Sequence, residues 1–495
     1  MTEYTKKVIF GSAVVFVFTV FAAFFGYLTR LLVARNLSVE NFGLVYSIMA
    51  FFGLFSILQH MGLNDALTKY VSEFRVRREL GKIKASIIFT LIFQLSTAFI
   101  LALAMWLLAP WLAENYFRSS LAVNGIRIYA IAVFLSPIES LFLSTFLGYQ
   151  KPVWYSAANF ARAIFIFLAT LILFGFSKTI LSPIISYVLV YSLSLLVYLP
   201  YFLAKIFPGF FKTKTRAFKE TAGKMTRFGA HVIITAVAGT VITYTDIAMI
   251  TYFKTLNDVA IYNAATSTAL LLWFFGTALA TVLLPLSSEI WKRKHSHLMG
   301  EGINMIYKYG LIIIIPFTVL MFVFPELILR ILFGTDYSAG SGVLQILSIA
   351  AIFFTIGQVN MSILSGMGKP RINAKVSAVA AVFNFASNLI LIPLLGIAGA
   401  AISTGIAFAI IGIFGGIALK KHAPFKLPVL PWIKTMACAA VFLFTVIILK
   451  NILNIALIPK IIIILAIGLI VYVILILVTK TVTIEDIKII KGRII

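Results

Sequence analysis

Four charged side chains lie in stretches of sequence that are otherwise almost wholly apolar: Arg30, Glu139, Arg162 and Asp246. A charge near mid-bilayer costs about 2.5–3.5 kcal/mol on insertion scales, so such groups persist where they are paired or used. Glu139 stands eight residues before Leu147 and Arg162 nine residues after Val153, on stretches joined by a tight turn. At about 1.5 Å per helical residue, both lie about 12–14 Å from that turn. The spacing predicts that they meet. One reading is an internal ion pair that fixes the register of the hairpin. The other is an Arg162 that faces a central cavity and meets an anionic headgroup, with Glu139 holding it in place. Ser136, Ser140 and Asn159 extend the polar patch. Arg30 and Asp246 sit in the outer thirds of the first and seventh apolar stretches. They form either an outer gate that closes when they pair or two unrelated groups that snorkel to the interface. Gln358, Asn360, Asn384 and Asn388 add uncharged polarity; the last two are four apart and share a helix face. Arg30, Arg162, Asn159, Gln358, Asn360 and Asn388 are thus the candidate substrate-binding residues. Glu139 and Asp246 are the candidates for a gate or for ion coupling.

The elements that must position these residues follow from composition. The 495 residues are 61% hydrophobic and 12% charged, with a mean hydropathy of +1.06. A chain this apolar has too little polar surface to cover a soluble fold. A bilayer span needs about 20 mostly apolar residues. Fourteen such stretches are found, from Val8–Val33 to Ile461–Val478. The first is too long for a signal peptide and is expected to stay as an anchor. Period-two alternation is absent, which argues against a β-barrel. The net charge of +25 invites a nucleic-acid reading, but its placement argues otherwise. Of the 41 Lys and Arg residues, 31 fall in the N-terminus, the C-terminal tail and every second loop, and nine in the alternate loops. Basic loops stay cytoplasmic during insertion, so both termini are expected inside a multi-pass cell-membrane protein. Anionic lipid headgroups are then natural neighbours.

The chain also repeats itself. GYQKP at Gly148–Pro152 returns as GMGKP at Gly366–Pro370, 218 positions on. Ser72–Glu73 matches Ser288–Glu289, and ENFGLVYS at Glu40–Ser47 matches NDVAIYNA at Asn257–Ala264. Three landmarks in order at nearly constant offset predict a duplicated unit. The expected fold is an all-α integral membrane protein of 14 transmembrane helices. Two parallel-repeat six-helix lobes occupy residues 1–204 and 224–419, joined by a basic cytoplasmic linker at 205–223. Residues 420–495 hold two extra helices and a short basic tail. In each G-x-x-K-P turn the Gly ends one helix, Lys151 or Lys369 reaches the headgroups, and the Pro starts the next helix. The loops near 62–84, 205–227 and 287–308 are basic and partly amphipathic; they are either short surface helices or solvated connectors.

Enzyme chemistry finds little support. No Cys/His cluster, P-loop, H-E-x-x-H or G-x-S-x-G motif is present in the sequence. No catalytic residue, metal ligand or cofactor is expected. His60 and His231 are isolated, and His295 and His297 sit among lysines and arginines. The lone cysteine, Cys438, lies in an apolar stretch and reads as packing.

Asn388–Ile410, Ala34–Ser47, Asn257–Ala265 and both G-x-x-K-P turns resemble the polysaccharide-biosynthesis exporters. These are the Wzx-type oligosaccharide-lipid flippases of the multidrug/oligosaccharidyl-lipid/polysaccharide exporter superfamily, which has a MATE-like fold. The resemblance covers essentially the whole chain. It implies lobes that work by alternating access and a polyprenyl-(pyro)phosphate-linked glycan as cargo, carried outward for cell-surface glycan assembly. Cationic cavities are common in such proteins, and Arg30 and Arg162 match by span and residue type. The partners are then the lipid-linked oligosaccharide, membrane lipids, a coupling Na⁺ or H⁺, and a glycan polymerase or transferase, with no nucleic acid. A cation-coupled multidrug antiporter of the same fold is the alternative, and Glu139 and Asp246 keep it open.

Overall fold

The computed structural model describes residues 3–293, 296–453 and 457–482. His295, the tail beyond residue 482 and the side chain of His231 lie outside the described residues. Every described element is a helix. The first three are α1 (Glu3–Asn36), α2 (Val39–His60) and α3 (Leu63–Val76). Next come α4 (Leu80–Asn115), α5 (Ala122–Gly148), α6 (Pro152–Phe176) and α7 (Leu181–Tyr201). After an irregular connector follow α8 (Phe218–Phe253), α9 (Leu256–Lys292), α10 (Ser296–Val323) and the short α11 (Pro325–Leu332). The last five are α12 (Ser341–Gly366), α13 (Pro370–Leu395), α14 (Ile397–Lys420), α15 (Val429–Ile452) and α16 (Leu457–Val478). Among the described residues, thirteen stretches are long and apolar enough to cross a membrane. Ile463–Val478, within α16, is a shorter apolar helix at the place of the fourteenth. The chain is an all-helical, multi-pass membrane protein. Pro285 lies inside α9, which runs on to Lys292. Helices in membranes tolerate such prolines because neighbouring groups satisfy the freed carbonyls.

The repeat has a structural basis at each landmark. Ser38 caps α2 by accepting from the backbone N–H of Asn41 at 3.3 Å. Its counterpart 217 positions on is Thr255, which forms a reciprocal capping box with Asp258 at the start of α9. Glu73 pairs with Arg77 at 3.1 Å, and Glu289 pairs with Arg293 at 2.5 Å, each one helical turn apart. Both G-x-x-K-P turns are Schellman caps. The N–H of Lys151 reaches the carbonyl of Phe146, and that of Lys369 reaches Leu364, each at 2.9 Å. The left-handed residue is Gln150 in the first (φ 57) and Gly368 in the second (φ 75). The leading glycines serve a different end. A Cβ on Gly148 would meet Val71 at 2.7 Å, and one on Gly366 would run into Ser287.

The chain divides into two compact units. One comprises Met1–Ser267, Arg330–Tyr337 and Ser377–Ala407; the other comprises Thr268–Leu329, Ser338–Val376 and Phe408–Ile495. In the first, α3 is a helix of its own because Met61 and Gly62 both take positive φ and break α2 from it. Its apolar face (Leu63, Leu67, Val71, Phe74) packs on Phe142 and Phe146 of α5 and on Phe202 and Phe207. Burying a side chain such as Leu67 contributes about 1.5–3 kcal/mol, so α3 is held by packing on protein. In the second unit, α15 and α16 dock on α10 through Phe442, Val446 and Tyr472 against Leu311 and Ile315. Trp432 Nε1 donates to the Tyr307 carbonyl at 3.1 Å, and Tyr472 OH donates to that of Ile312 at 3.0 Å. Cys438 is buried in this core.

Candidate functional site

Helices α5 and α6 run antiparallel across the first G-x-x-K-P turn and bring their two charges together. Arg162 Nη1 lies 3.4 Å from Glu139 Oε2, and its Nη2 donates to Asn159 Oδ1 at 3.0 Å. Ser194 of α7, not singled out from the sequence, donates to the other carboxylate oxygen at 3.4 Å. Glu139 is 2% exposed while the Arg162 side chain is 36% exposed. The carboxylate is therefore the anchor, and the guanidinium presents a free face. Ser136 and Ser140 do not join this group; each donates to its own helix, at Val133 and Pro137.

Arg30 of α1 belongs to the same interior. Its guanidinium lies over the Tyr46 ring of α2, 5.7 Å from the centroid, and its buried Nε has no hydrogen-bond partner. Both Arg30 and Arg162 are within electrostatic reach of Tyr187 on α7 and Tyr244 on α8. Tyr129 of α5 packs edge-on against Tyr187, with centroids 6.4 Å apart. Tyr191, one turn beyond Tyr187, is within electrostatic reach of Arg162 and Glu139. Side chains from six helices (α1, α2, α5, α6, α7 and α8) converge, so the place is inside the first unit rather than on its lipid face. All of these tyrosines and both arginines are nonetheless partly exposed. Together they make a cationic and aromatic cluster. The tyrosines were missed because nothing in their spacing separates them from interface residues.

Asp246 of α8 lies elsewhere in this unit and is 4% exposed. Its carboxylate accepts from Tyr262 OH and Thr404 Oγ1, each at 2.5 Å, and from Asn388 Nδ2 at 2.6 Å. Asn384 Nδ2 completes the set at 3.4 Å. The shared face of Asn384 and Asn388 is thus turned onto Asp246. All four donors are neutral, so the negative charge is solvated but not balanced. The Asn388 Oδ1 is itself buried and without a partner. Among the described residues no ion pair joins Asp246 to Arg30.

The remaining candidates lie in the second unit. Asn360 of α12 is fully buried: it accepts from Tyr307 OH and donates to the Gly412 carbonyl at 2.9 Å. This ties α10, α12 and α14 together. Gln358 is half-buried and bonds to no described residue. At the second turn, Lys369 Nζ donates to His422 Nδ1 at 2.8 Å. Burial, with Lys369 and Lys421 nearby, lowers the His422 pKa below its ordinary value. His297 pairs with Glu301 at 3.5 Å. The His60 Nδ1 is buried without a partner.

A many-helix membrane protein with a duplicated plan and a charged interior defines a class of membrane transporter. The profile of the polysaccharide biosynthesis protein family matches residues 8–291, and that of the MatE family matches residues 231–390. The chain belongs to the polysaccharide biosynthesis protein family. It is 32% identical to the uncharacterized membrane protein MJ1068 of Methanocaldococcus jannaschii over 446 residues, 88% of each chain. It is 26% identical to the probable low-salt glycan biosynthesis flippase Agl15 of Haloferax volcanii over 407 residues, 81% of each chain. A structure of lipid II flippase MurJ in an inward closed conformation shares the fold, with a TM-score of 0.76 at 18% identity. That match covers 93% of this chain and 97% of the other.

Proposed function

We propose that this protein is a flippase for a polyprenyl-(pyro)phosphate-linked oligosaccharide, which it moves from the cytoplasmic to the outer leaflet. The observation that carries the reading is the convergence of Arg30 and Arg162 among tyrosines inside the first unit. A lipid-linked sugar has an anionic, hydrated head that cannot cross hydrocarbon and a tail that need not leave it. Two guanidiniums in a low-dielectric setting bind such a head far more strongly than they would in water. Glu139 and Asn159 position Arg162, while Arg30 keeps an open donor. The names of the relatives, a glycan biosynthesis flippase among them, agree with this cargo.

The six-helix lobes at 1–204 and 224–419 alternate access, joined by the linker at 205–223, with residues 420–495 as an appended pair and tail. Both termini are cytoplasmic, and the chain is a carrier rather than an enzyme. Asp246 couples the cycle to Na⁺ or H⁺: a buried carboxylate among neutral oxygens and amides gains by taking up a cation. Gln358, Asn360 and Asn388 serve the cycle from the other helices. A glycan polymerase or transferase receives the product.

The test is a flipping assay in proteoliposomes with a fluorescent polyprenyl-pyrophosphate oligosaccharide, comparing wild type with Arg162→Ala. Head translocation that depends on Arg162 supports the flippase. Asp246 also favours a second reading, a cation-coupled drug antiporter. Extrusion of cationic dyes under a Na⁺ or H⁺ gradient, with no lipid movement, would establish that instead.

A further inference from the structure

Resting on the flippase reading, we infer that the tyrosines of this cluster form a stacking site for the sugar rings of the cargo, separate from the phosphate site at the arginines. Tyr187 and Tyr191 stand one turn apart on α7, with ring centroids 6.5 Å apart and planes at 46°. Tyr129 meets Tyr187 edge-on at 85°, which leaves the Tyr187 ring a face not covered by Tyr129. Tyr46 supports Arg30 and so belongs with the phosphate site.

Tyr244 is set by a glycine. Its ring lies so close to α2 that a Cβ on Gly53 would come within 2.7 Å of it. A ring seated this close to backbone is fixed in place and loses little entropy when a ligand stacks on it. Apolar filling would serve mere packing equally well. Phenols serve a sugar better: the ring face carries negative potential toward the polarised C–H bonds of a pyranose, and the hydroxyl bonds to its O–H groups. An uncharged saccharide offers nothing to a guanidinium but hydrogen bonds, whereas it matches this cluster in both respects. The two subsites therefore read different parts of one molecule, the arginines its charge and the tyrosines its sugars.

The experiment uses the full-length protein in nanodiscs. Binding of a bare polyprenyl phosphate is compared with that of the same lipid carrying a tetrasaccharide. Tyr187→Leu and Tyr191→Leu are expected to weaken the glycosylated lipid about tenfold and leave the bare lipid within about twofold, with the Phe variants in between because they keep the ring face and lose the hydroxyl. Gly53→Ala, which must displace the Tyr244 ring, is expected to act in the same direction. The ratio of the two affinities removes any general loss of folded protein. Equal loss for both lipids, or Phe variants as weak as Leu, overturns the stacking site. If wild type binds both lipids equally, the flippase reading stands and this inference alone falls. If wild type binds neither, both fall together.

Discussion

Tyr262 and Thr404 both donate to the same oxygen of Asp246, each at 2.5 Å, although 142 residues separate the two donors in sequence. A carboxylate with that many neutral donors is built to hold charge without a salt bridge. Asp246→Ala is expected to leave these donors unsatisfied and to lower stability by about 3 kcal/mol, read as a fall in Tm in detergent. Asp246→Asn keeps the shape and is expected to insert and fold while transport loses its dependence on Na⁺ or H⁺. Retained gradient dependence in the Asn variant would remove the coupling role.

The Glu139–Arg162 contact separates structure from cargo binding. Arg162→Ala leaves Glu139 buried with Ser194 as its one remaining side-chain partner, which is expected to cost about 3 kcal/mol and most of the transport. The reversed pair, Glu139→Arg with Arg162→Glu, is expected to recover folding without transport. Recovery of both in the flipping assay would make the pair structural alone.

The paired glycines at the hairpins predict parallel losses. Gly148→Val forces Val71 aside, and Gly366→Val forces Ser287 aside; each is expected to cost about 1–3 kcal/mol in thermal unfolding. The effect comes from close approach, since neither residue has the positive φ that falls on Gln150 and Gly368.

His422 gives a pH dependence of known sign. Its pKa is lowered in the folded protein from 6.5, by burial first and then by Lys369 and Lys421. Between the lowered value and 6.5 the unfolded chain binds more protons than the folded one, so stability rises with pH across that window and falls on acidification. The His422→Gln variant is expected to flatten this slope, measured as Tm against pH below 6.5.

Much of the fold was legible because a bilayer imposes length and hydropathy on every span. The repeat was legible because caps, a salt bridge and a turn need particular residue types. The contact of Glu139 with Arg162 followed from their equal distance to one turn. What escaped depends on helices far apart in sequence. Nothing near Asp246 announces Tyr262 or Thr404, and a helix period does not say which neighbour a face meets. Arg30 illustrates the same limit: its guanidinium lies over the Tyr46 ring of α2, and nothing in the local sequence announces that neighbour.

The two Schellman turns hold one backbone shape with different residues at the left-handed position. Gln150 bears there a strain of about 1–2 kcal/mol that Gly368 escapes, against which stands its bond from Arg75 at 2.7 Å. The later copy is thus a natural control experiment for the earlier one. A protein engineer seeking a sturdier specimen would find the replacement already proofread within the same polypeptide, and each matched landmark doubles as a donor of substitutions for its twin.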